Sequence, residues 1–71
     1  MFELVLKSSL EKGNIITIIY AKGNVITKRN IQVLEMDDSK IKAYCYLRCQ
    51  NRIFKKDNIL AADFYRRKVL F

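Results

Sequence analysis

Two runs rich in β-branched residues flank the segment Ala21-Lys22-Gly23-Asn24. The first run covers residues 15–20 and is apolar on both faces, and the second covers residues 25–36 and alternates less regularly. β-Branched side chains favour strands, and a Gly-Asn pair supplies the positive φ angles that a tight turn needs. The pattern predicts a β-hairpin whose second arm bends or bulges at the polar stretch 27–30.

A second hairpin is predicted further along the chain. Asp37-Asp38-Ser39 has the composition of a turn, and it is followed by strand-like residues 40–49 and 51–56 on either side of Gln50-Asn51. Two consecutive hairpins in so short a chain indicate an antiparallel sheet.

The two ends of the chain are expected to contribute smaller elements. Residues 57–60 indicate a helical turn with Asp57 as its N-cap, and residues 69–71 can add a last strand. Residues 2–11 fit both an alternating strand and an amphipathic helix, and we favour a short helix. Together these patterns predict one domain over residues 1–71, a mainly β fold formed by a small β-barrel of about five strands with one or two short helical segments.

Side chains in residues 40–49 separate into two different faces if the segment is one extended strand, because side chains alternate along a strand. One face is apolar and carries Ile41, Ala43, Cys45, Leu47 and Cys49. The other is cationic and aromatic and carries Lys40, Lys42, Tyr44, Tyr46 and Arg48. Such a mixed face can stack the bases of single-stranded nucleic acids and neutralise their phosphates. The alternative is that the tyrosines only cover the flank of the barrel.

The two cysteines, Cys45 and Cys49, lie about 13 Å apart if the strand is extended at ~3.3 Å per residue. A disulfide needs α-carbons within roughly 7 Å, and the chain has no histidine to complete a zinc site. We therefore expect two reduced and buried thiols that behave as small apolar side chains. A helix would bring the thiols together, but the apolar residues of this segment form no clean helical stripe.

The positive charge is confined to the second half of the chain. Residues 1–38 carry five Lys or Arg and five Asp or Glu, whereas residues 39–71 carry nine against two, so the second half accounts for the net charge of +7. Such asymmetry indicates an anionic partner, which can be nucleic acid, a phosphorylated ligand or a lipid surface. The alternative is a solvated basic face that keeps the protein in solution.

A membrane is not an expected partner. The longest near-apolar run, residues 15–21, is far shorter than the about 20 residues that a membrane-spanning helix needs. The first residues also lack the basic leader and long apolar core of a signal peptide, so we expect a cytoplasmic protein.

Several short elements, taken in order, resemble the WYL domain family. They are Tyr20, Gly23, Arg29-Asn30-Ile31, Ala43-Tyr44-Cys45, Arg48, Arg52-Ile53-Phe54-Lys55 and Ile59. In that family a strand that ends in tyrosine precedes a glycine turn, and an aromatic strand and an Arg-x-Phe element follow. The resemblance covers residues 15–60 and implies an Sm/SH3-like β-barrel. It also implies the sensor part of a bacterial transcription regulator, which binds nucleic acid or nucleotide-like ligands through basic and aromatic residues.

The sequence departs from the family pattern at two positions. The Trp-Tyr-Leu trio falls at Ser39-Lys40-Ile41, where only the apolar third position is kept. The proline expected after the Arg-x-Ile element is absent, and Val33 stands near its place. No helix is long and basic enough to read a DNA major groove, so regulation would act through a ligand or a partner.

Residue by residue, the resemblance adds two arginines to the predicted surface. Arg29, Tyr44, Arg48 and Arg52 match positions that line the family's binding surface. Tyr20 and Phe54 match as well, but we expect them to pack in the core or at the barrel rim. The predicted site for nucleic acid or an anionic ligand therefore comprises Arg29, Lys40, Lys42, Tyr44, Tyr46, Arg48 and Arg52.

Three functional classes are compatible with the sequence. The favoured one is a binding module for single-stranded nucleic acid, rather than duplex, or for a nucleotide-type ligand. The second is a protein-interaction or homodimerisation module whose basic face meets an acidic partner. An enzyme is disfavoured, because the sequence shows no histidine, no paired carboxylates and no glycine-rich phosphate loop, and no cofactor or metal site is predicted.

Overall fold

The computed structural model describes residues 2–65. They form helix α1 (Glu3–Lys12) and the strands β1 (Ile16–Lys22), β2 (Val25–Met36), β3 (Lys40–Cys45), β4 (Gln50–Lys55) and β5 (Ile59–Phe64). A short 3-10 turn, Lys56–Asn58, joins β4 to β5. The mainly β fold with five strands and short helical segments is confirmed. The strand predicted over residues 69–71 lies outside the described residues.

All five strands belong to one antiparallel sheet in the order β4-β3-β2-β1-β5. The first hairpin is confirmed, and its turn lies at Gly23-Asn24, where Gly23 has a φ angle of 60°. The β1–β2 ladder runs without interruption through residues 27–30, so the bulge predicted there is wrong. These polar side chains alternate between the faces as in a regular strand. The register instead shifts against β3, between Val33 and Glu35.

One face of the sheet, called the inner face below, carries the core. Its buried side chains are Ile16, Ile18, Tyr20, Ile31, Val33, Ile41, Ala43, Cys45, Phe54 and Ile59, and α1 adds Leu6. Residues directly opposite one another in neighbouring strands share a face, so the register also assigns the less buried side chains to the inner or the outer face.

Helix α1, the favoured alternative for the first residues, is confirmed and covers one end of the inner face. It ends at Gly13, which has a φ angle of 72° and donates its N–H to the carbonyl of Ser9. The buried Ser9 hydroxyl donates to the carbonyl of Asn14 at 2.6 Å and accepts the N–H of Val33 at 2.9 Å. The Ser9 hydroxyl therefore bonds a carbonyl of the loop after the helix and an N–H of β2. These two bonds fix the position of α1 on the sheet. Within the described residues, no helix has the length and apolarity needed to cross a membrane.

The sheet curls until β1 meets β4, although β2 and β3 lie between them in the sheet. Tyr20 on β1 packs edge-on against Phe54 on β4, with ring centroids 4.9 Å apart. The Tyr20 hydroxyl accepts the backbone N–H of Lys55, the last residue of β4, at 3.1 Å. The barrel predicted from the sequence is therefore curled but not closed within residues 2–65. The Tyr20 hydroxyl thus accepts a backbone N–H at the edge of β4, and the 3-10 turn begins at the next residue.

Strand β3 ends at Cys45, four residues earlier than predicted. Residues 46–49 form a turn instead. The Tyr46 N–H donates to the Asn30 carbonyl at 3.0 Å, and Cys49 has a φ angle of 54°. Because the chain turns after Cys45, the alternation of side chains between the two faces stops there, and the left-handed Cys49 completes the turn before β4.

The region after β4 also differs from the prediction. The N-cap of the 3-10 turn is Lys55, and Asp57 lies inside the turn rather than capping it. Ile59 and Leu60 begin β5, which pairs with β1, instead of belonging to a helical turn. The burial of Ile59 on the inner face outweighs the helical signal of the short polar stretch before it.

Strand β5 forms the second edge of the sheet. The Phe64 N–H donates to the carboxylate of Asp63 at 2.8 Å, whereas the next N–H, that of Tyr65, donates to Ile15 on the β1 side. Because alternate N–H groups of a strand point to opposite sides, the carboxylate caps an outward-pointing group at this edge.

Tyr20→Phe removes the hydroxyl that accepts the Lys55 N–H and keeps the ring against Phe54. We expect the free energy of unfolding in urea to fall by about 1–3 kcal/mol, because a partly buried donor loses its partner. Tyr46→Phe is the matched control. Its hydroxyl makes a long, exposed contact of 3.5 Å with Gln32, so its effect should stay within about 0.5 kcal/mol. Equal effects of the two variants would contradict this account of the curl.

The turn before β3 is confirmed and predicts a dependence of stability on pH. The Asp37 carboxylate accepts the backbone N–H groups of Ser39 and Lys40, both at 2.8 Å, and these bonds hold the pKa of Asp37 below its ordinary value. A lowered pKa in the folded state means that Asp37 stabilises the fold above its unfolded pKa, and that this contribution is lost as the pH falls through the folded pKa.

Asp37→Asn keeps an acceptor oxygen but removes the titration. The melting temperature of the native sequence should therefore fall more steeply than that of Asp37→Asn between about pH 6 and about pH 2.5. Asp38→Asn, on the neighbouring turn residue, is the control and should follow the native curve. Parallel curves for the native sequence and Asp37→Asn would show that the turn does not stabilise the fold through its charge.

Candidate functional site

The seven predicted site residues lie in three different places. Lys42, Tyr44 and Tyr46 are near one another on the outer face and at the start of the following turn. Arg48 is exposed in the same turn. Arg29 and Arg52 line a groove at the inner face, and Lys40 lines the rim of that groove from the outer side of β3, because it precedes the buried Ile41. The structure thus brings subsets of the predicted residues together but divides them between opposite faces of the sheet.

The outer-face group keeps the predicted mixture of aromatic and cationic side chains. The rings of Tyr44 and Tyr46 meet edge to face, with centroids 4.9 Å apart. Lys42 lies 3.6 Å from a carboxylate oxygen of Glu35, so its charge is partly balanced. An anion at this surface would compete with a carboxylate that is already in place.

The groove opens at the end of the inner face that α1 leaves uncovered, between the end of the β1–β2 hairpin and β4. Its volume is about 770 Å³, and it is lined by Tyr20, Lys22, Val25, Thr27, Arg29, Lys40, Arg52, Ile53, Phe54, Lys55 and Asn58. Five of these residues are Lys or Arg and none is Asp or Glu. The ion pairs among the described residues involve Lys7, Lys42 and Lys56, so no groove cation forms a direct ion pair with a carboxylate of residues 2–65.

Arg29 is held in place beside the floor of this groove. Its Nε donates to the Thr27 hydroxyl at 3.1 Å, and its Nη1 donates to the Cys45 sulfur at 3.5 Å. Its guanidinium carbon lies 5.9 Å from the centroid of the Phe54 ring. Half-buried and fixed by three neighbours, this guanidinium loses little side-chain freedom when it binds a ligand.

Arg52 is the second arginine of the groove. It lies directly opposite the buried Ala43 in the β3–β4 ladder, so its side chain is on the inner face with Arg29. Both arginines were predicted from the family resemblance, but as part of one surface with Lys42 and Tyr44, which lie on the opposite face.

Two further cations of the groove, Lys22 and Lys55, were not among the predicted site residues. Lys22 ends β1 and Lys55 ends β4, and only the curl of the sheet brings these strand ends to one groove. Their positive charge was visible in the sequence, but no local pattern indicated that they lie together. Tyr20 and Phe54 were predicted as core or rim residues, and their burial confirms this.

The two cysteines differ in their surroundings, which corrects the prediction that both are buried. Cys45 is buried on the inner face, whereas Cys49 is exposed in the turn, and both are free thiols. The strand separation of about 13 Å does not apply, because the chain turns after Cys45. Burial raises the pKa of the Cys45 thiol. The backbone N–H groups of Arg48 and Leu47 and the Arg29 guanidinium outweigh this effect and bring the pKa below its usual value.

Comparison with known proteins identifies a related fold. No protein-family model matches the chain, and no curated protein matches its sequence. Among solved structures, a region of proteasome accessory factor B/C (PafBC) of Arthrobacter aurescens is similar, with a TM-score of 0.76 and 19% sequence identity. The similarity covers 93% of this chain but 11% of the PafBC chain. At this identity it shows a shared fold.

The different surroundings of the cysteines predict the reactivity of the native protein. An aromatic disulfide reagent should modify the exposed Cys49 thiol rapidly and the buried Cys45 thiol only upon unfolding. Cys49→Ser should remove the rapid phase, and Cys45→Ser should retain it. Rapid modification of both thiols in the native protein would contradict the burial of Cys45.

Proposed function

We propose that this chain is a WYL-like regulatory module that binds a phosphate-bearing ligand, a nucleotide or single-stranded nucleic acid, in the groove between the β1–β2 hairpin and β4. The observation that carries the proposal is the composition of the groove, in which five cations form no direct ion pair with a carboxylate of the described residues. Uncompensated cations in a concave site favour an anion because they repel one another when the site is empty.

The two arginines give the groove a geometry suited to phosphate. A guanidinium presents planar pairs of N–H donors that match two oxygens of a phosphate, and such charge-assisted bonds are stronger than neutral ones. Arg29 is fixed by Thr27, Cys45 and Phe54, and Arg52 is only partly buried on the same face. Arg29 is therefore preorganised, and Arg52 can close on the ligand.

The size of the groove supports a ligand larger than inorganic phosphate. Ligand pockets have volumes of about 300–1,000 Å³, and this groove, at about 770 Å³, falls within that range. Apolar side chains such as Val25 and Ile53 line it together with the cations, so it offers contacts for a base or sugar as well as for phosphate.

A regulatory role rests on two further observations. The sequence resembles the WYL family, and PafBC, which shares the fold, is a WYL-domain-containing regulator. Because the chain spans 11% of PafBC, the similarity concerns one part of that protein. A module of this kind would change its contacts with another protein or domain when its ligand binds.

The proposal is tested by titrating AMP, a short oligothymidylate and duplex DNA into the native protein and Arg52→Gln at several salt concentrations. We expect the oligothymidylate to bind more tightly than the duplex. Arg52→Gln should weaken binding by about 1–3 kcal/mol and lower the salt slope for the oligothymidylate by about one unit. Lys28→Gln, which removes the same charge from the outer face, is the matched control and should change binding much less.

Two other outcomes would point elsewhere. If Arg52→Gln binds normally while Tyr44→Ala or Tyr46→Ala weakens binding, the outer-face group predicted from the sequence is the site. If none of the three probes binds at low salt, the cationic groove belongs to an acidic protein partner, the second function that the sequence allows.

A further inference from the structure

Two lysines of the groove face each other across the β3–β4 ladder. Lys40 is the direct partner of Lys55, and both side chains are exposed. Like charges directly opposite in neighbouring strands destabilise a sheet, because their β-carbons are only about 5 Å apart. The charges of the nearest lysines in sequence are balanced, since Lys42 lies near Glu35 and Lys56 contacts Glu3 at 2.9 Å. Neither Lys40 nor Lys55 forms a direct ion pair within residues 2–65, although the charge of Lys40 helps to lower the pKa of Asp37.

This pair is separate from the arginines within the same groove. Lys55 follows Arg52 by three residues in β4, a distance of about 10 Å along the strand at ~3.3 Å per residue. Arg52 lies on the inner face opposite Ala43, whereas the lysines stand at the rim where β3 begins and β4 ends. The groove therefore offers two cationic positions, one at its floor and one at its rim.

We infer that Lys40 and Lys55 form a second anion subsite, so that the ligand of this groove carries at least two phosphate groups. The inference rests on the proposed function and specifies its ligand class. A phosphate held by Arg29 and Arg52 leaves the repulsion between the lysines in place, and a second phosphate at the rim removes it. Nucleoside diphosphates and short phosphodiester chains both have this chemistry.

The experiment compares three probes by calorimetry at low salt: AMP, ADP, and a 5′-phosphorylated thymidylate dinucleotide. The native protein should bind the probes with two phosphates about tenfold more tightly than AMP. Lys40→Gln and Lys55→Gln should remove this advantage, because they should weaken the binding of the two-phosphate probes by a larger factor than the binding of AMP. Preference for ADP over the dinucleotide would identify a nucleotide ligand, and the reverse preference a nucleic acid strand. Lys28→Gln is the control for loss of one charge.

The outcomes separate the two proposals. If AMP binds and depends on Arg52, but a second phosphate adds nothing, the subsite is overturned and the proposed function stands. If the lysine variants weaken AMP and ADP equally, the lysines belong to a single phosphate site, and the subsite is again overturned. If no probe binds, both proposals fail.

A second measurement needs no ligand. Relief of the repulsion should raise the melting temperature of Lys55→Gln above that of the native protein at low salt, and high salt should reduce the difference. Lys28→Gln should show no such increase. A lower melting temperature for Lys55→Gln at low salt would mean that the two lysines do not oppose each other, and it would overturn the subsite.

Discussion

The hydrogen bond between the Tyr20 hydroxyl and the Lys55 N–H joins two strands that the sheet order keeps apart. The Phe54 ring, which packs against Tyr20 and lies near the Arg29 guanidinium, is the other contact of β4 with the β1–β2 hairpin described above. The bond fixes the curl of the sheet, and the curl creates the groove, because lysines and arginines from four strands then surround one space. A single side chain of the core thus determines the shape of the candidate site.

The inner face serves the core at one end and the candidate site at the other. Helix α1 is only ten residues long, and the Ser9 hydroxyl holds it against β2 near Val33. The same face continues past the helix to Arg29, which lies opposite the buried Ile18. The short helix therefore leaves the cationic end of the sheet accessible.

Local sequence patterns were sufficient for the first hairpin, the helix and the β class, but not for the arrangement of the site. The segment 40–49 shows why. Its sequence keeps alternating between apolar and polar residues beyond Cys45, where the strand ends, and the left-handed residue of the turn is Cys49, a type that gives no turn signal. The curl is equally hidden, since it depends on one hydroxyl and on a partner 35 residues away in sequence. For this reason the sequence assigned Arg29 and Arg52 to the face of Tyr44, whereas the register places them on the other face of the sheet.

The capped edges determine how another strand can join this sheet. In β4 the N–H groups of alternate residues point outward, and that of Lys55 is already bonded to Tyr20, so Asn51 and Ile53 offer the remaining outward N–H groups of the strand. At β5 the Asp63 carboxylate occupies the N–H of Phe64. Within residues 2–65, an incoming chain therefore finds short stretches of open edge with which to form a ladder. Such edges resist open-ended stacking of copies into fibrils, and they allow a partner strand to pair in very few registers.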